Sequence, residues 1–342
     1  MEPRRKEPGT TKGRHVKSRL LLFGIAMLLL LPVAAQSAQL KIIPNINGGY
    51  AFGETEYEIS GLGIDEQERL VAIRSLLEFP LDQVMGGIGV RLNSTREHRP
   101  WSVVLDIHTT FTDPGGIMKD HDWATVQDGF DGKFSYTESG SEGSALLINL
   151  DGSWYLYQKN TFLFGPRVGF RFHRIQQDVI DFEGWWIDYS DPPFVRRPQQ
   201  GDGKGIEYRI HYFMPMIGFA ARIDKPDEYR LEAHLSYMPV FYDDFDDHLF
   251  RRKTAESNGN GSGVLASLAA RFNLPSGGPK NPFVELRAEF VTLSASGDQT
   301  QVWYGDDGAT PGVDDTGNQV TGIAHDVRST QGRISLQFGT MF

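Results

Sequence analysis

The chain is dominated by stretches in which apolar and polar residues alternate with a period of two. This alternation predicts β-strands, because successive side chains of a strand point to opposite faces. No amphipathic helical pattern follows the first 38 residues. We predict ten strands, at 40–58, 69–92, 101–118, 141–158, 162–178, 204–222, 228–245, 262–274, 281–298 and 326–342.

The connections between these strands alternate between short and long. The short ones lie near 93–100, 159–161, 223–227 and 275–280, and the long ones near 59–68, 113–140, 179–203, 246–261 and 299–325. Outer-membrane barrels have short periplasmic turns and longer extracellular loops. We therefore predict an all-β fold, a ten-stranded antiparallel transmembrane β-barrel in the outer membrane of a Gram-negative bacterium.

The predicted strands are longer than a bilayer requires. A membrane-spanning strand needs about 9–11 residues, so we expect the barrel to extend above the outer membrane. A barrel of this size is narrow, and side chains should fill most of its lumen. Pro80, Pro166, Pro215 and Pro239 fall inside predicted strands, where each should mark a bulge, a bend or a strand end.

Both ends of the chain are typical of an exported barrel. A basic segment precedes an uncharged run at 20–33, and small residues follow. This pattern predicts a signal peptide over 1–38, cleaved near 35–38, followed by a single barrel domain over 39–342. A retained N-terminal anchor is the alternative, although a helical span needs about 20 apolar residues. The final segment, 334–342, alternates and ends on Phe, so we expect recognition by the barrel assembly machinery; a soluble β-sandwich could end similarly.

Composition narrows the class of protein and its partners. The mean hydropathy of −0.35 excludes a bundle of membrane helices. The absence of Cys excludes disulfide staples and a thiolate nucleophile. Loss of the predicted signal peptide changes the formal charge from −10 to −15. Such a surface repels nucleic acid and attracts cationic partners.

A run of seven residues ending at His248 contains four carboxylates and one imidazole. If this run continues a strand, Asp244, Asp246 and His248 share one face, and Asp243 and Asp247 share the other, solvated face. Carboxylates at this density are unfavourable unless water, a metal ion or a catalytic task uses them.

A second acidic cluster, at Asp120 and Asp122, lies at the start of the second predicted long loop. Asp246 and His248 lie at the start of the fourth, so the predicted topology places both clusters on the extracellular rim. The residue types suit hydrolysis by an activated water. His248 can act as the base, Asp246 can stabilise its imidazolium, and the other pair can hold the water.

Two non-catalytic interpretations of these acidic clusters remain open. One is a solvated loop, and the other is a Ca²⁺ or Zn²⁺ site built from facing loops. We predict catalysis without a metal. Six further histidines have no comparable partners in the sequence and are predicted to be structural: His98, His108, His173, His211, His234 and His325.

Three segments resemble one family, the omptins, which are ten-stranded outer-membrane proteases. The omptin Asp-x-Asp-Trp motif resembles Asp120-His121-Asp122-Trp123, and the omptin Asp-x-Asp-x-His motif resembles Asp244-Phe245-Asp246-Asp247-His248. A third segment, at 213–218, is similar to the one before the omptin seventh strand. The resemblance implies an aspartic-type endopeptidase in which Asp120 and Asp122 hold the water that Asp246 and His248 activate.

The resemblance also implies residues that bind substrate and lipid. Asp244 matches the acid at the floor of a pocket for a basic side chain, and Tyr57 stands where omptins have that pocket's second acid. Omptins need lipopolysaccharide, and Phe170 and Arg174 match parts of its binding pattern, whereas Phe172 departs from it. We therefore expect cationic polypeptide substrates and no cofactor other than lipopolysaccharide. A non-catalytic barrel, such as an adhesin or a structural protein, is the alternative function.

Overall fold

A computed structural model describes residues 40–64, 68–94, 100–189, 192–225, 228–275, 281–308 and 314–341. The predicted signal peptide and Phe342 lie outside these residues. The described residues form thirteen strands. They are β1 (Leu40–Ile64), β2 (Leu70–Pro80), β3 (Gln83–Ser94), β4 (Trp101–Thr110), β5 (Met118–Val126), β6 (Asp131–Trp154), β7 (Tyr157–Lys159), β8 (Phe162–Ile187), β9 (Arg196–Lys225), β10 (Tyr229–His248), β11 (Lys253–Asn273), β12 (Asn281–Trp303) and β13 (Gln319–Met341).

The strands close into an antiparallel ring. One edge of β1 pairs with β13, and its other edge pairs with β3 and then with β2. Strands β2 and β3 form one interrupted wall strand, and β4 and β5 form another, both of them bounded by continuous neighbours. Apart from the short β7, the described strands therefore make a ring of ten. This confirms the predicted fold class.

The first and last described residues lie at the same rim of the ring. We call the rim that holds Leu40 and Met341 the base, and the opposite rim the top. Within the described ranges, no helix combines the length and the apolar composition that a membrane crossing requires.

The lower half of the wall is apolar outside and polar inside. In β13, Ile334, Leu336 and Phe338 are exposed, whereas Arg333 and Gln337, which alternate with them, are buried in the lumen. Strands β1 and β11 repeat this alternation with exposed Ile46 and Leu268, among others. A soluble sheet has the opposite polarity, and an outward apolar band is the feature by which a barrel faces lipid.

Paired charges fill the lumen inside this band. Arg91 Nη1 lies 2.8 Å from Glu232 Oε1, and Arg271 Nη2 lies 2.8 Å from Glu285 Oε2. The guanidinium groups have carboxylate partners here because an unpaired buried charge would be strongly destabilising. The narrow barrel is therefore filled by side chains, as the sequence predicts.

An aromatic layer lies above these charges and below the top. Phe79 and Tyr208 stack with their ring centroids 4.4 Å apart, and Tyr57 packs against both. Met214 and Met238 are fully buried in the same cluster. This apolar floor supports the residues at the top of the barrel.

Three predicted long loops are wrong in their extent. The segment 113–140 contains β5 and the start of β6, and most of 179–203 belongs to β8 and β9. The segment predicted as a loop at 246–261 is a tight turn at 249–252 followed by β11. The upper parts of these strands carry polar residues on their outer face as well as on their inner face. Apolar and polar residues therefore do not alternate clearly there, and the sequence pattern does not indicate a strand.

Three of the four prolines lie where the wall is interrupted or locally unpaired, whereas Pro166 lies within the continuous β8, paired with Phe219 of β9. Pro80 ends β2. The β9–β10 ladder has no paired residues between Tyr237 and Phe241, and Pro239 lies in this gap on β10 with Pro215 opposite it on β9. Proline has no backbone N–H to donate to a neighbouring strand. Because these two prolines lie opposite each other, the missing hydrogen bonds are confined to one position of the ladder.

Candidate active site

Asp246 and His248 lie at the upper end of β10, two positions apart on its inner face. His248 Nε2 is 3.0 Å from Asp246 Oδ2, and the carboxylate is buried. Burial would raise the pKa of Asp246, but His248, a hydrogen bond from Tyr57 and the charge of Lys253 outweigh it and hold this pKa below its ordinary value. Asp246 is therefore anionic at neutral pH and can stabilise a positive charge on His248.

Lys253 lies directly across the β10–β11 hairpin from His248. Its Nζ donates a hydrogen bond of 2.9 Å to Gln301 Oε1. Burial first, and Arg251 second, lower the pKa of Lys253 to about 8, although Asp246 and other acids oppose that shift. Lys253 is not among the residues predicted from the sequence, because 246–261 was interpreted as a loop, whereas a tight turn after His248 places Lys253 opposite it.

Asp120 and Asp122 lie on the inner face of β5, between β2 and β6. They belong to a strand and not to the start of a loop, which corrects the predicted placement. Ser75 on β2 donates a hydrogen bond of 3.4 Å to Asp120 Oδ1. A strand holds these side chains more rigidly than a loop would.

A cavity of about 210 Å³ lies between these two sets of residues. Asp120 and His248 are both on its wall, together with Arg251 and apolar side chains that include Met118 and Phe250. Asp122 and Asp246 are buried beside the cavity and do not line it. The closed ring thus brings one residue of each cluster to a shared space, with its partner behind it.

The electrostatics of the two acidic residues differ. Burial, and then the neighbouring carboxylate of Asp122, raise the pKa of Asp120 well above its ordinary value, while Arg251 opposes the shift. Asp246 contributes to the same increase from the opposite wall. Because the pKa of Asp246 is lowered, the two walls of the site have a proton-binding carboxyl on one side and an anion on the other.

Asp120→Asn is expected to stabilise the folded protein at neutral and alkaline pH. The raised pKa means that folded Asp120 binds its proton more tightly than unfolded Asp120 does. Its contribution to stability is complete below the ordinary pKa of about 4 and is lost as the pH rises through the raised folded value. Asparagine has the same shape without the charge, so the gain in the free energy of unfolding should grow with pH.

Denaturant unfolding in micelles at acidic and alkaline pH measures this effect. Asp298→Asn is the matched control, because Asp298 is exposed on the outer face of β12. A pH-independent effect of Asp120→Asn, or an equal effect of the control, would contradict the prediction.

Asp244 and Tyr57, the predicted substrate-binding residues, are enclosed below the cavity. Asp244 accepts a hydrogen bond from Ser257 Oγ, and its Oδ2 lies 3.3 Å from His325 Nε2. Neither Asp244 nor Tyr57 lines the 210 Å³ cavity. Tyr57 donates a hydrogen bond to Asp246 Oδ2 instead.

One other expectation from the sequence needs correction, and two histidines have partners that only the structure reveals. Asp247 is buried and accepts a hydrogen bond of 2.9 Å from Tyr304 Oη, so it does not lie on a solvated face. His211 and His325 both have carboxylate partners, at Asp243 and Asp244, which the sequence pattern did not reveal. The tertiary structure supplies these partners from neighbouring and distant strands, whereas His98 lies outside the described residues.

Phe170 and Arg174, the predicted lipid-binding residues, lie on the outer face of β8. Arg174 Nη2 donates a hydrogen bond of 2.6 Å to Gln176 Oε1. Phe172, on the same face between them, stacks on His211 with ring centroids 6.0 Å apart. This outer surface therefore combines aromatic rings with a cation.

A further group of acids lies in the connection between β12 and β13. Among the described residues, the acids close enough to share a cation are Asp306, Asp307 and Asp315. These carboxylates are half-buried or exposed and are separate from the 210 Å³ cavity.

Fold and site together define a membrane barrel with a buried Asp–His couple facing an acidic pair. A model of the omptin family matches residues 83–303, which is more than half of the chain. The chain belongs to the omptin family, whose members are outer-membrane proteases of Gram-negative bacteria.

The chain is also similar to proteins of known structure. The outer membrane protease OmpT from Escherichia coli is similar with a TM-score of 0.66 and 15% sequence identity, over 89% of this chain and 99% of that one. At that identity the likeness shows the fold alone. A FadL homologue from Pseudomonas aeruginosa has 8% identity over 87% of this chain and 90% of that one, and its TM-score of 0.23 is too low to bear on the fold. No curated protein matches the chain.

Proposed function

We propose that this omptin is an aspartic-type endopeptidase whose active site opens at the top of the barrel, outside the cell. Water is activated by the Asp246–His248 couple and held by Asp120 and Asp122. One observation carries the proposal: Asp120 and His248, from distant segments, line the same 210 Å³ cavity. General-base catalysis requires the attacking water to lie within hydrogen-bond reach of the base, and a water bound in this cavity would contact both walls.

The chemistry follows from the two walls of the cavity. His248 takes a proton from the water, and the water oxygen attacks the carbonyl carbon of the peptide. The anionic Asp246, at 3.0 Å, stabilises the resulting imidazolium, which then protonates the leaving amine. Asp120 retains a proton to higher pH than an ordinary carboxyl, so it can donate a hydrogen bond to the developing oxyanion.

A second pocket supports the expectation of cationic polypeptide substrates. It has a volume of about 370 Å³, opens beside the first cavity and shares Asp181 and Phe182 with it. Glu138, Glu183 and Asp202 also line it. Together with the formal charge of −10, these carboxylates favour the approach of a basic segment.

The proposal is tested by offering unlabelled basic and neutral polypeptides to the refolded protein and identifying the products by mass spectrometry. We expect internal cleavage by the wild type in micelles that contain lipopolysaccharide. Asp120→Ala should remove that cleavage. If the wild type leaves every polypeptide intact while it is fully folded, the non-catalytic alternative replaces the protease.

We also propose that lipopolysaccharide contacts the outer face of β8 and promotes activity. Arg174 supplies a cation for its phosphate groups, and Phe170 and Phe172 supply apolar contact. In the same assay, Arg174→Ala should need more lipopolysaccharide for half-maximal activity, because it loses a charge-assisted contact. Lys225→Ala removes one charge near the base and should leave this requirement unchanged.

A further inference from the structure

Tyr57 contacts the proposed catalytic couple from below. Its side chain projects inward from β1, and its hydroxyl donates a hydrogen bond to Asp246 Oδ2. The same oxygen lies 3.0 Å from His248 Nε2. Two donors from different strands therefore converge on one carboxylate oxygen, which limits rotation of the Asp246 carboxylate about its own axis.

The ring of Tyr57 is held on several sides. Its centroid lies 5.8 Å from that of Phe79, 5.4 Å from Tyr208 and 5.2 Å from His325. The side chain is 2% exposed. Packing on these sides restricts rotation of the ring, so the hydroxyl is held in one position as a hydrogen-bond donor to Asp246.

The remaining contacts of Asp246 make this bond more important. Within the described chain, Asp246 Oδ1 is buried and has no hydrogen-bond partner. The hydrogen bonds that the described residues make to this carboxylate therefore converge on Oδ2. Removing the Tyr57 hydroxyl would leave His248 as the one hydrogen-bonding partner that the described side chains supply.

The position of Tyr57 also separates the cavity from Asp244. The side chain of Asp244 is 2% exposed. Its carboxylate accepts a hydrogen bond from Ser257 and lies beside the imidazole of His325. Tyr57 packs on His325 and bonds to Asp246, so its ring lies among the groups above Asp244. A substrate side chain in the 210 Å³ cavity has no described path to the Asp244 carboxylate.

We propose that Tyr57 is a positioning residue of the catalytic couple, which orients Asp246 toward His248 and closes the space above Asp244 to basic substrate side chains. This inference rests on the proposed protease function. It gives Tyr57 a different task from that of a pocket acid, and it predicts that any preference for basic residues comes from contacts other than Asp244.

Tyr57→Phe tests the positioning role, because it removes the hydroxyl and keeps the ring. We expect kcat to fall by about 10- to 100-fold, the effect of one hydrogen bond to a charged group, with little change in KM. The acid limb of the pH–rate profile should move to higher pH, because Asp246 loses a hydrogen bond that helps to lower its pKa. Tyr208→Phe is the matched control: its hydroxyl lies in the same buried cluster and has no hydrogen-bond partner within the described chain.

A second measurement separates this inference from the protease proposal. In isotope-labelled protein at one neutral pH, the His248 ring resonances should shift and broaden in Tyr57→Phe, because the Asp246 carboxylate loses one of its two donors, and stay at the wild-type positions in Tyr208→Phe. This readout does not need turnover, so it holds even if no polypeptide is cleaved. Unchanged His248 resonances in Tyr57→Phe overturn the positioning role.

Tyr57→Glu tests the closed space above Asp244. We expect it to lose activity on all peptides to a similar extent, because a second carboxylate replaces the donor to Asp246. A selective gain in cleavage next to Arg or Lys would show that position 57 belongs to an open basic-residue pocket and would overturn the inference.

Discussion

His248→Ala is expected to lower kcat by about 10²- to 10⁴-fold, the usual contribution of a positioned general base. The loss should fall on kcat and leave the barrel intact, because the imidazole is at the upper end of β10 and its main partner is the Asp246 carboxylate. Steady-state kinetics measure the loss, and heat-dependent migration on electrophoresis reports the folded barrel.

His211→Ala provides a close control for this variant. His211 Nδ1 lies 3.0 Å from Asp243 Oδ2, so it forms an Asp–His pair of the same composition on β9 and β10. This pair faces outward, on the other side of the wall from the cavity. Equal losses in both variants, or none in His248→Ala, would contradict the assignment of His248 as the base.

Glu289→Ala is expected to lower the free energy of unfolding by about 3–5 kcal/mol. Glu289 accepts ion pairs from Arg171 at 2.5 Å and from Arg333 at 3.2 Å, deep in the lumen. Removing the carboxylate leaves two buried guanidinium groups without their shared partner. Denaturant unfolding in micelles, followed by tryptophan fluorescence, measures the change.

The matched control removes a glutamate from an exposed ion pair. Glu228 Oε2 lies 2.8 Å from Lys225 Nζ near the base, and both side chains are about half exposed. Solvent screens such a pair, so Glu228→Ala should change the free energy of unfolding by less than about 1 kcal/mol. If Glu289→Ala were equally mild, the lumen pairs would not be important for stability.

The lower half of the barrel could be predicted from the sequence because its signal is local. In β13, exposed Ile334 and Phe338 alternate with buried Arg333 and Gln337, and this contrast is visible in any short window. Lipid outside and a polar lumen inside impose it on each crossing strand. The ten-strand ring followed from counting such windows.

The upper half could not be predicted in the same way. Strand β5 carries Asp120 and Asp122 inward, and the upper wall strands are bounded by water on the outside, so both faces admit polar residues. Without alternating apolar residues, the sequence of a strand resembles that of a loop, and for this reason 113–140 was predicted to be a loop. For the same reason, the sequence does not predict the tight turn after His248. The position of Lys253 opposite His248 depends on that turn, so it could not be predicted either.

By itself, the sequence determined the class of fold and the two acidic motifs, since strand alternation and motif spacing are properties of neighbouring residues. The tertiary structure alone decided what these residues touch. Closure of the ring joined Asp120 and His248 at one cavity and brought Tyr57 from β1 to Asp246 on β10. Contacts between distant strands depend on the register of the whole ring, which no local pattern encodes.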